Sequence, residues 1–356
     1  MYAKNLLLLA ASVGLAFSAV EALFRALHLD TALLGDPLRD VPIMAALVPD
    51  PYLQWRGRPH GRFPWIPEAL NERGFRGPTA RPSKPAHVRR VAVLGDSCTF
   101  GVVRRAESVT ALRRPYPALV QELLDREQAG GFEVLSYAVI GYTSWHGLRQ
   151  LHAEVLADDP DLVVIRFGWN DLFASPVERS FAAPRSPALE RLERWLYASR
   201  LLGVLLYRGI PTPREGYTLE RLSSRPTTWV EPEDYAFHLS RMIELAHDRR
   251  VRTILLDAPA APFTPEIAER QLLLFETGYA SFERLLDAHR LYQEITVRVA
   301  REHGAAWLRT APPPGRETEA YFSRFDLVHP EVGGHARIAG DLHEAILTAF
   351  GSPRRE

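Results

Sequence analysis

Short runs of apolar residues alternate with amphipathic segments along most of the chain from Val91 onward. The runs have the length of buried strands, and the segments between them place apolar residues at helical spacing. Strands are predicted at Val91–Leu94, Phe132–Ala138, Asp161–Phe167, Val251–Asp257 and Ala305–Leu308. Helices are predicted at Pro115–Gln128, Trp145–Ala157, Leu189–Tyr207, Pro232–Arg249, Asp287–His303 and Glu331–Phe350. This alternation predicts an α/β fold, a doubly wound parallel five-stranded sheet with helices on both faces.

A different pattern opens the chain, where Lys4 precedes an apolar run from Leu6 to Val20. One basic residue before an apolar run is typical of an exported or membrane-inserted N-terminus. We therefore predict that residues 1–29 form an uncleaved signal anchor, with the rest of the chain outside the cytoplasm, in the periplasm or on the cell surface. Two alternatives stay open. One is a signal peptide cleaved near Ser18, which gives a secreted product, and the other is a buried core helix.

Three regions follow from these patterns. Residues 30–89 are rich in proline, glycine and arginine, and their aromatic residues, such as Trp55 and Phe63, predict an extended arm packed on the domain. Residues 90–351 form the α/β domain. Two of its connections, at about 172–231 and 258–286, are long for simple loops. Both leave the carboxyl ends of strands, so we expect these insertions to set substrate specificity.

Composition narrows the functional classes. The 356 residues contain 43 basic and 43 acidic side chains, so no basic excess indicates nucleic-acid binding. The single cysteine, Cys98, excludes an intramolecular disulfide and a cysteine-rich zinc site. His335 and His343 share a predicted helix but have no cluster of carboxylates at ligand spacing. We therefore expect no metal and no cofactor.

Residues suited to chemistry follow the ends of three predicted strands and recur near the C-terminus. They are Gly95-Asp96-Ser97, Gly141, Gly168-Trp169-Asn170-Asp171 and Asp326-Leu327-Val328-His329. Because the carboxyl ends of parallel strands meet at one edge of a sheet, we expect the first three groups to lie together.

This set has the components that acyl transfer requires. A serine hydroxyl needs an imidazole to accept its proton, and the imidazole needs a carboxylate to fix its tautomer. Asp326 and His329 are three positions apart, so one turn can bring carboxylate and imidazole together. The N–H groups of Ser97 and Gly141 and the side-chain amide of Asn170 can stabilise an oxyanion. The alternative for Ser97 is an ordinary helix N-cap at a βα turn.

These motifs resemble those of the SGNH (GDSL-type) hydrolase superfamily and occur in the order typical of that family. The resemblance covers roughly Val91 to Phe350 and implies a three-layer α/β/α, flavodoxin-like fold. It implies Ser97 as nucleophile, His329 as base and Asp326 as its partner, with an oxyanion hole of Ser97, Gly141 and Asn170. The apolar N-terminus and the arm pattern Asn71–Gly77 are similar to membrane-anchored bacterial members. Ser136-Tyr137 stands where many members have an asparagine, ahead of the motif that contains Gly141, and so departs from the family pattern.

The expected function is therefore that of a serine esterase acting on envelope glycans or small acyl and lipid esters. An O-acyltransferase with the same triad and a non-catalytic envelope-assembly protein on the same fold are the alternatives. Tyr142 and Trp169 flank the predicted hole, where they line the substrate site or simply pack. Asp96 and Asp171 are interpreted as carboxylates that brace turns. His146 is interpreted as a helix-surface residue.

Overall fold

A computed structural model of the protein describes residues 2–35, 44–105, 108–175, 180–207, 222–261, 277–311, 320–323 and 326–351. The chain divides into two compact units. The first unit comprises Met1–Arg56 and Pro184–Ile210, and the second comprises Gly57–Ala183 and Pro211–Glu356. The predicted insertions lie partly outside the described residues, at 176–179, 208–221 and 262–276.

The second unit is built on a parallel sheet. Its strands among the described residues are β3 (Arg89–Gly95), β6 (Phe132–Ser136), β7 (Leu162–Arg166), β8 (Arg252–Leu256) and β9 (Ala306–Leu308). They are ordered β6-β3-β7-β8-β9, and every pairing is parallel. Because β3 and β7 are buried on both faces, they have the continuous apolar sequence that the pattern indicated. The five-stranded parallel sheet predicted from the sequence is confirmed.

Helices cover both faces of this sheet. The helices of the second unit are α3 (Ser97–Phe100), α4 (Tyr116–Glu127), α5 (Ser144–Ala153), α6 (Trp169–Leu172), α9 (Pro232–His247), α10 (Phe282–Glu302) and α11 (Val332–Ala349). The helices α4 and α11 pack together, whereas α9 packs against both α5 and α10. This arrangement gives a three-layer fold. A short hairpin of β4 (Val102–Arg104) and β5 (Val109–Ala111) follows α3.

The chemical motifs lie at the topological switch point of the sheet, where the strand order reverses. The first strand of this sheet along the chain, β3, lies between β6 and β7, which is the 2-1-3-4-5 order of flavodoxin-like sheets. Ser97 follows β3, Gly141 follows β6 and Asn170 follows β7. Ligand sites of open α/β sheets lie outside the strand ends at this switch point.

The first unit contains the N-terminal helix α1 (Tyr2–Leu27) and α2 (Leu29–Leu34). It also contains a hairpin of β1 (Leu47–Asp50) and β2 (Gln54–Gly57), and the helices α7 (Pro187–Ala198) and α8 (Arg200–Leu206). The sequence predicted α7 and α8 as one helix from Leu189 to Tyr207. The prediction is wrong at Ser199, whose extended backbone separates the two helices and whose side chain accepts the Leu202 N–H.

Other boundaries differ by smaller amounts. The helix predicted to begin at Asp287 begins at Phe282, because the Ser281 hydroxyl caps it by accepting the Arg284 N–H. The helix predicted to end at Ala157 ends at Ala153, and a 3₁₀ turn follows.

Candidate active site

The turn after β3 positions Ser97 at the start of α3. Asp96 has an extended backbone and caps this helix, with Oδ1 accepting the Cys98 N–H at 2.9 Å. Gly95 lies so close to the helix that an added Cβ would come within 2.1 Å of Thr99 Oγ1. Because Asp96 provides the cap, the Ser97 hydroxyl is free of the N-cap role that the sequence left open.

Three side chains form a continuous hydrogen-bonded row at this turn. Ser97 Oγ lies 2.9 Å from His329 Nε2, and His329 Nδ1 lies 2.8 Å from Asp326 Oδ2. Asp326 is 4% exposed, whereas Ser97 and His329 are each 9% exposed, so the carboxylate is the most deeply buried of the three groups. The row joins the first strand of the sheet to a loop near the C-terminus, 232 positions later.

Backbone contacts fix the loop that carries Asp326 and His329. Asp326 Oδ1 accepts the backbone N–H groups of Val328 and His329, at 2.8 and 3.2 Å. Pro330 bridges to Phe322 across the base of the loop. Burial alone would raise the pKa of Asp326, but the His329 charge and these hydrogen bonds hold it below its ordinary value. The carboxylate therefore stays ionised beside the imidazole.

The predicted oxyanion donors lie in the neighbouring loops. Gly141 has a φ of 81°, a conformation that favours glycine, and is partly exposed. The Nδ2 atom of Asn170 donates to the Tyr142 carbonyl at 2.9 Å and lies 3.5 Å from Asp96 Oδ2. Asn170 is thus held between the loop of Gly141 and the residue next to Ser97. The longer of its two contacts leaves one N–H only weakly engaged.

The sequence between residues 93 and 337 matches the model of the GDSL-like lipase/acylhydrolase family. This chain belongs to that family. The match includes every residue of the hydrogen-bonded row and both predicted loop donors. The family assignment agrees with the resemblance drawn from the motifs. No functionally curated protein matches the chain.

Several solved structures are similar to this chain at low sequence identity. A lipase/acylhydrolase from Enterococcus faecalis is 18% identical, with a TM-score of 0.46, and the match covers 73% of this chain and 96% of that one. A catalytic mutant of an acetylxylan esterase from Geobacillus stearothermophilus is 17% identical, with a TM-score of 0.43 and coverage of 75% and 97%. A GDSL-like lipase from Bacteroides thetaiotaomicron is 17% identical, with a TM-score of 0.40 and coverage of 73% and 89%.

In this GDSL-like acylhydrolase we expect Asn170→Ala to lower kcat by about 100- to 1,000-fold with little change in KM. The reason is that the oxyanion exists only near the transition state, so the lost donor weakens transition-state binding and not substrate binding. Steady-state kinetics on a chromogenic short-chain ester measures both constants. Gln121→Ala is the matched control, since this side-chain amide binds the backbone of β6 at Val134. An unchanged kcat in Asn170→Ala would remove Asn170 from the hole.

Tyr142 and Trp169 are both buried and packed. Tyr142 stacks on His146 with ring centroids 4.6 Å apart, and Trp169 stacks on His289 at 4.4 Å. The indole N–H of Trp169 donates to the Pro259 carbonyl at 3.3 Å. These contacts favour packing over substrate lining, the other interpretation that the sequence offered.

Asp171 braces the loop that carries Asn170. Its Oδ1 accepts the Ser144 N–H at 2.8 Å, and its Oδ2 accepts the Gly168 N–H at 3.0 Å. Burial raises the pKa of this carboxyl to about 7, against the opposing effect of those hydrogen bonds. The contacts link the loop after β7 to the start of α5, beside Gly141. The bracing role that the sequence suggested fits this geometry.

Arg76, in the arm, is a supporting residue that sequence reasoning missed. Its guanidinium is buried, stacks over the Phe100 ring and donates to the Phe100 carbonyl at 2.8 Å and to the Leu112 carbonyl. It thereby satisfies an orphan carbonyl at the C-terminal end of the helix that begins with Ser97. The glycine-rich turn around it was visible in the sequence, but the partner 24 positions away was not.

Two histidines also differ from simple surface residues. His146, interpreted from the sequence as a helix-surface residue, is fully buried and accepts the Thr143 N–H through Nδ1 at 3.1 Å. That interpretation is wrong because α5 packs against α9 and its residues from Ser144 to Leu151 are buried. His335 is likewise buried, and its Nδ1 accepts the Tyr116 N–H at 2.9 Å. Both side chains therefore cap or join helices.

Proposed function

We propose that this GDSL-like acylhydrolase is a serine esterase that cleaves an O-acyl ester through an acyl-enzyme on Ser97. The observation that carries the proposal is the continuous row from Asp326 through His329 to Ser97 Oγ, with both contacts below 3 Å. This row has the geometry of a nucleophile, a general base and the group that orients the base.

Each step of the proposed reaction uses a group in that row. His329 Nε2 takes the proton of Ser97 as Oγ attacks the ester carbonyl, and the carbonyl oxygen becomes an oxyanion. Asp326 stabilises the imidazolium that forms. The C–O bond to the alcohol then breaks, and the imidazolium returns its proton to the leaving oxygen. Water attacks the acyl-enzyme by the same route and releases the carboxylic acid and Ser97.

The oxyanion needs donors that are already in place before the reaction begins. We assign this role to the backbone N–H groups of Ser97 and Gly141 and to the Asn170 amide. The Tyr142 carbonyl and Asp96 hold that amide from two sides, which supports its pre-organised position. No step requires a metal or cofactor. When a sugar hydroxyl replaces water in the second step, the same residues perform acyl transfer.

We further propose that α1 is a retained membrane anchor. One N-terminal helix in the described chain, Lys4–Ala26, is long and apolar enough to cross a membrane. Its leucines are exposed, with Leu6, Leu9 and Leu15 each more than 60% accessible, which favours a lipid environment over a protein core. Cleavage near Ser18 would remove most of this helix. It would leave only the end of α1, which binds other residues of the first unit. The positive charge of Lys4 favours an extracytoplasmic catalytic unit.

This location supports acyl esters of the cell envelope as the substrate class, either O-acylated glycans or small acyl and lipid esters. The role of the two insertions in substrate specificity stays a prediction. Parts of both insertions lie outside the described residues.

The decisive test is covalent labelling of the full-length protein in detergent with a fluorophosphonate probe, in which the serine oxygen displaces fluoride from phosphorus. We expect labelling of the wild type and of Cys98→Ala, and none of Ser97→Ala. Burial raises the pKa of the Cys98 thiol, so this neighbour is a poor nucleophile and a matched control. A folded wild type that is not labelled, or labelling that survives in Ser97→Ala, would overturn the proposal.

A further inference from the structure

The end of α1 is bound to the start of α8 through one carboxylate. Glu21 accepts hydrogen bonds from the Ser199 hydroxyl at 2.8 Å and from the backbone N–H groups of Arg200 and Leu201 at 3.0 and 3.1 Å. These N–H groups begin α8 and have no partner within their own helix. Arg25 holds the same carboxylate at 2.7 Å. Glu21, the residue that interrupts the apolar run, therefore acts as a cap supplied by another helix.

Further contacts fix the pair α7–α8 within the first unit. Arg25 also donates to the Ala198 carbonyl at 2.7 Å, so it binds the last residue of α7. The ring of Tyr197 lies 5.5 Å from that of Tyr52. Gly203 packs so closely on Pro51 that an added Cβ would meet the proline Cβ at 3.0 Å. The two helices are thus built onto the N-terminal segment at several independent points.

The outer face of this pair is apolar and uncovered among the described residues. Leu192 and Trp195 of α7 are 50% and 65% exposed, and Leu205 of α8 is 71% exposed. A groove of about 590 Å³ is lined by α1 residues between Leu6 and Phe17, together with Trp195 and Leu202. The apolar surface of α7–α8 is therefore continuous with the apolar surface of the candidate membrane span.

We infer that α7–α8 is a bilayer-docking element that inserts its apolar face into the leaflet where α1 ends, a step that rests on the proposed retention of α1 as an anchor. The continuity of the groove with the span identifies the occupant as lipid. A groove wall formed by the middle of a membrane-spanning helix lies at the depth of acyl chains, which a water-soluble partner does not reach. The charged residues of α7 lie between its leucines, as in helices that rest in a membrane interface. Trp195 is a tryptophan, a residue type enriched at the membrane–water interface.

The position of Glu21 agrees with this geometry. It lies one helical turn beyond Phe17, the last α1 residue that lines the groove. The polar cap and its Arg25 partner thus come where the apolar stretch ends, and the exposed leucines of α7–α8 come beside it. A carboxylate that binds three donors and an arginine can lie at the boundary of the hydrocarbon without an unpaired charge.

Site-directed spin labelling tests this inference on the full chain in phosphatidylcholine–phosphatidylglycerol vesicles. Nitroxides are placed by Leu192→Cys and Leu205→Cys, and by Leu291→Cys as the matched control, a leucine of α10 that is 44% exposed. The native Cys98 is buried, and unmodified wild type measures its background. We expect the α7 and α8 labels to collide at least threefold more with oxygen than with a water-soluble nickel chelate, relative to the control.

Accessibility to the nickel chelate equal to that of Leu291→Cys would overturn the inference. Protection from both reagents with spin–spin broadening would also overturn it, because a second copy of the chain would then cover the face. Vesicle flotation and ester hydrolysis are measured on the same samples. If the protein does not float with the vesicles, the retained anchor is contradicted, and if it does not hydrolyse the ester, the esterase is contradicted. Both outcomes are thus distinguished from a failure of the bilayer docking of α7–α8.

Glu21→Ala provides the second measurement. Without the carboxylate, the start of α8 loses its contact with α1, whereas the Ser199 hydroxyl still caps the Leu202 N–H. We expect the Leu205→Cys label to gain mobility in its spectrum in this background, and the Leu291→Cys label to stay unchanged. Equal mobility at Leu205→Cys with and without Glu21 would show that the cap does not hold the pair.

Discussion

We expect alanine at Ser97 to lower kcat for ester hydrolysis by about a million-fold, alanine at His329 to do the same, and the double variant to lose no more. This result is expected because the two residues act as one unit. In the proposed mechanism His329 removes the serine proton across the 2.9 Å contact, so either substitution removes the same activated nucleophile. The activity that remains comes from substrate binding and oxyanion stabilisation alone.

Single-turnover hydrolysis of a chromogenic ester measures this loss at enzyme concentrations high enough to detect the residual rate. Thermal unfolding of each variant separates loss of chemistry from loss of fold. Losses that multiply in the double variant would contradict a shared catalytic unit, and near-wild-type turnover in either single variant would refute the assigned roles.

Asp326→Asn is expected to lower kcat by about ten-thousand-fold while the side chain keeps its size. The carboxylate accepts from His329 Nδ1 at 2.8 Å, which leaves Nε2 free to receive the proton of Ser97. An amide at this position favours the opposite tautomer and does not stabilise the imidazolium. Asp341→Asn on α11 is a control, since that carboxylate pairs with Arg337 one turn earlier on the surface of the same helix.

The same substitution has a consequence for acid stability. The folded-state pKa of Asp326 is lowered, so its ionised form stabilises the fold above the unfolded pKa of about 3.9. This stabilisation is lost as pH falls from there through the folded pKa. Urea unfolding at neutral pH and in that acidic range should therefore show a smaller loss of stability in Asp326→Asn than in wild type. An equal or greater loss would contradict the lowered pKa.

The sheet and its order of motifs could be predicted because β3 and β7 are buried on both faces, and burial on both faces produces continuous apolar runs. The residues that meet at the strand ends followed from the parallel topology. Contacts between distant segments could not be predicted in this way. The hydrogen bond from Arg76 to the Phe100 carbonyl joins an irregular segment of the arm to the end of α3, and no periodicity in the sequence indicates it.

Local polarity was also an incomplete guide to burial. Ser199, at the break between α7 and α8, donates a hydrogen bond to a carboxylate of α1, 178 positions away. His146 has a polar side chain, yet it is buried, and its Nδ1 atom is hydrogen-bonded to Thr143. In both cases a polar group has its hydrogen-bond partner inside the fold. A single sequence does not show that pairing.

The separation of Ser97 and His329 along the chain also orders events during synthesis. The ribosome makes α1 first and Ser97 early, but His329, the proposed base, follows 232 residues after the serine, shortly before α11. A growing chain therefore has no activated nucleophile until nearly all of it has been translated. If α1 is the anchor proposed above, it is available for membrane targeting from the beginning of synthesis, and targeting precedes catalytic competence.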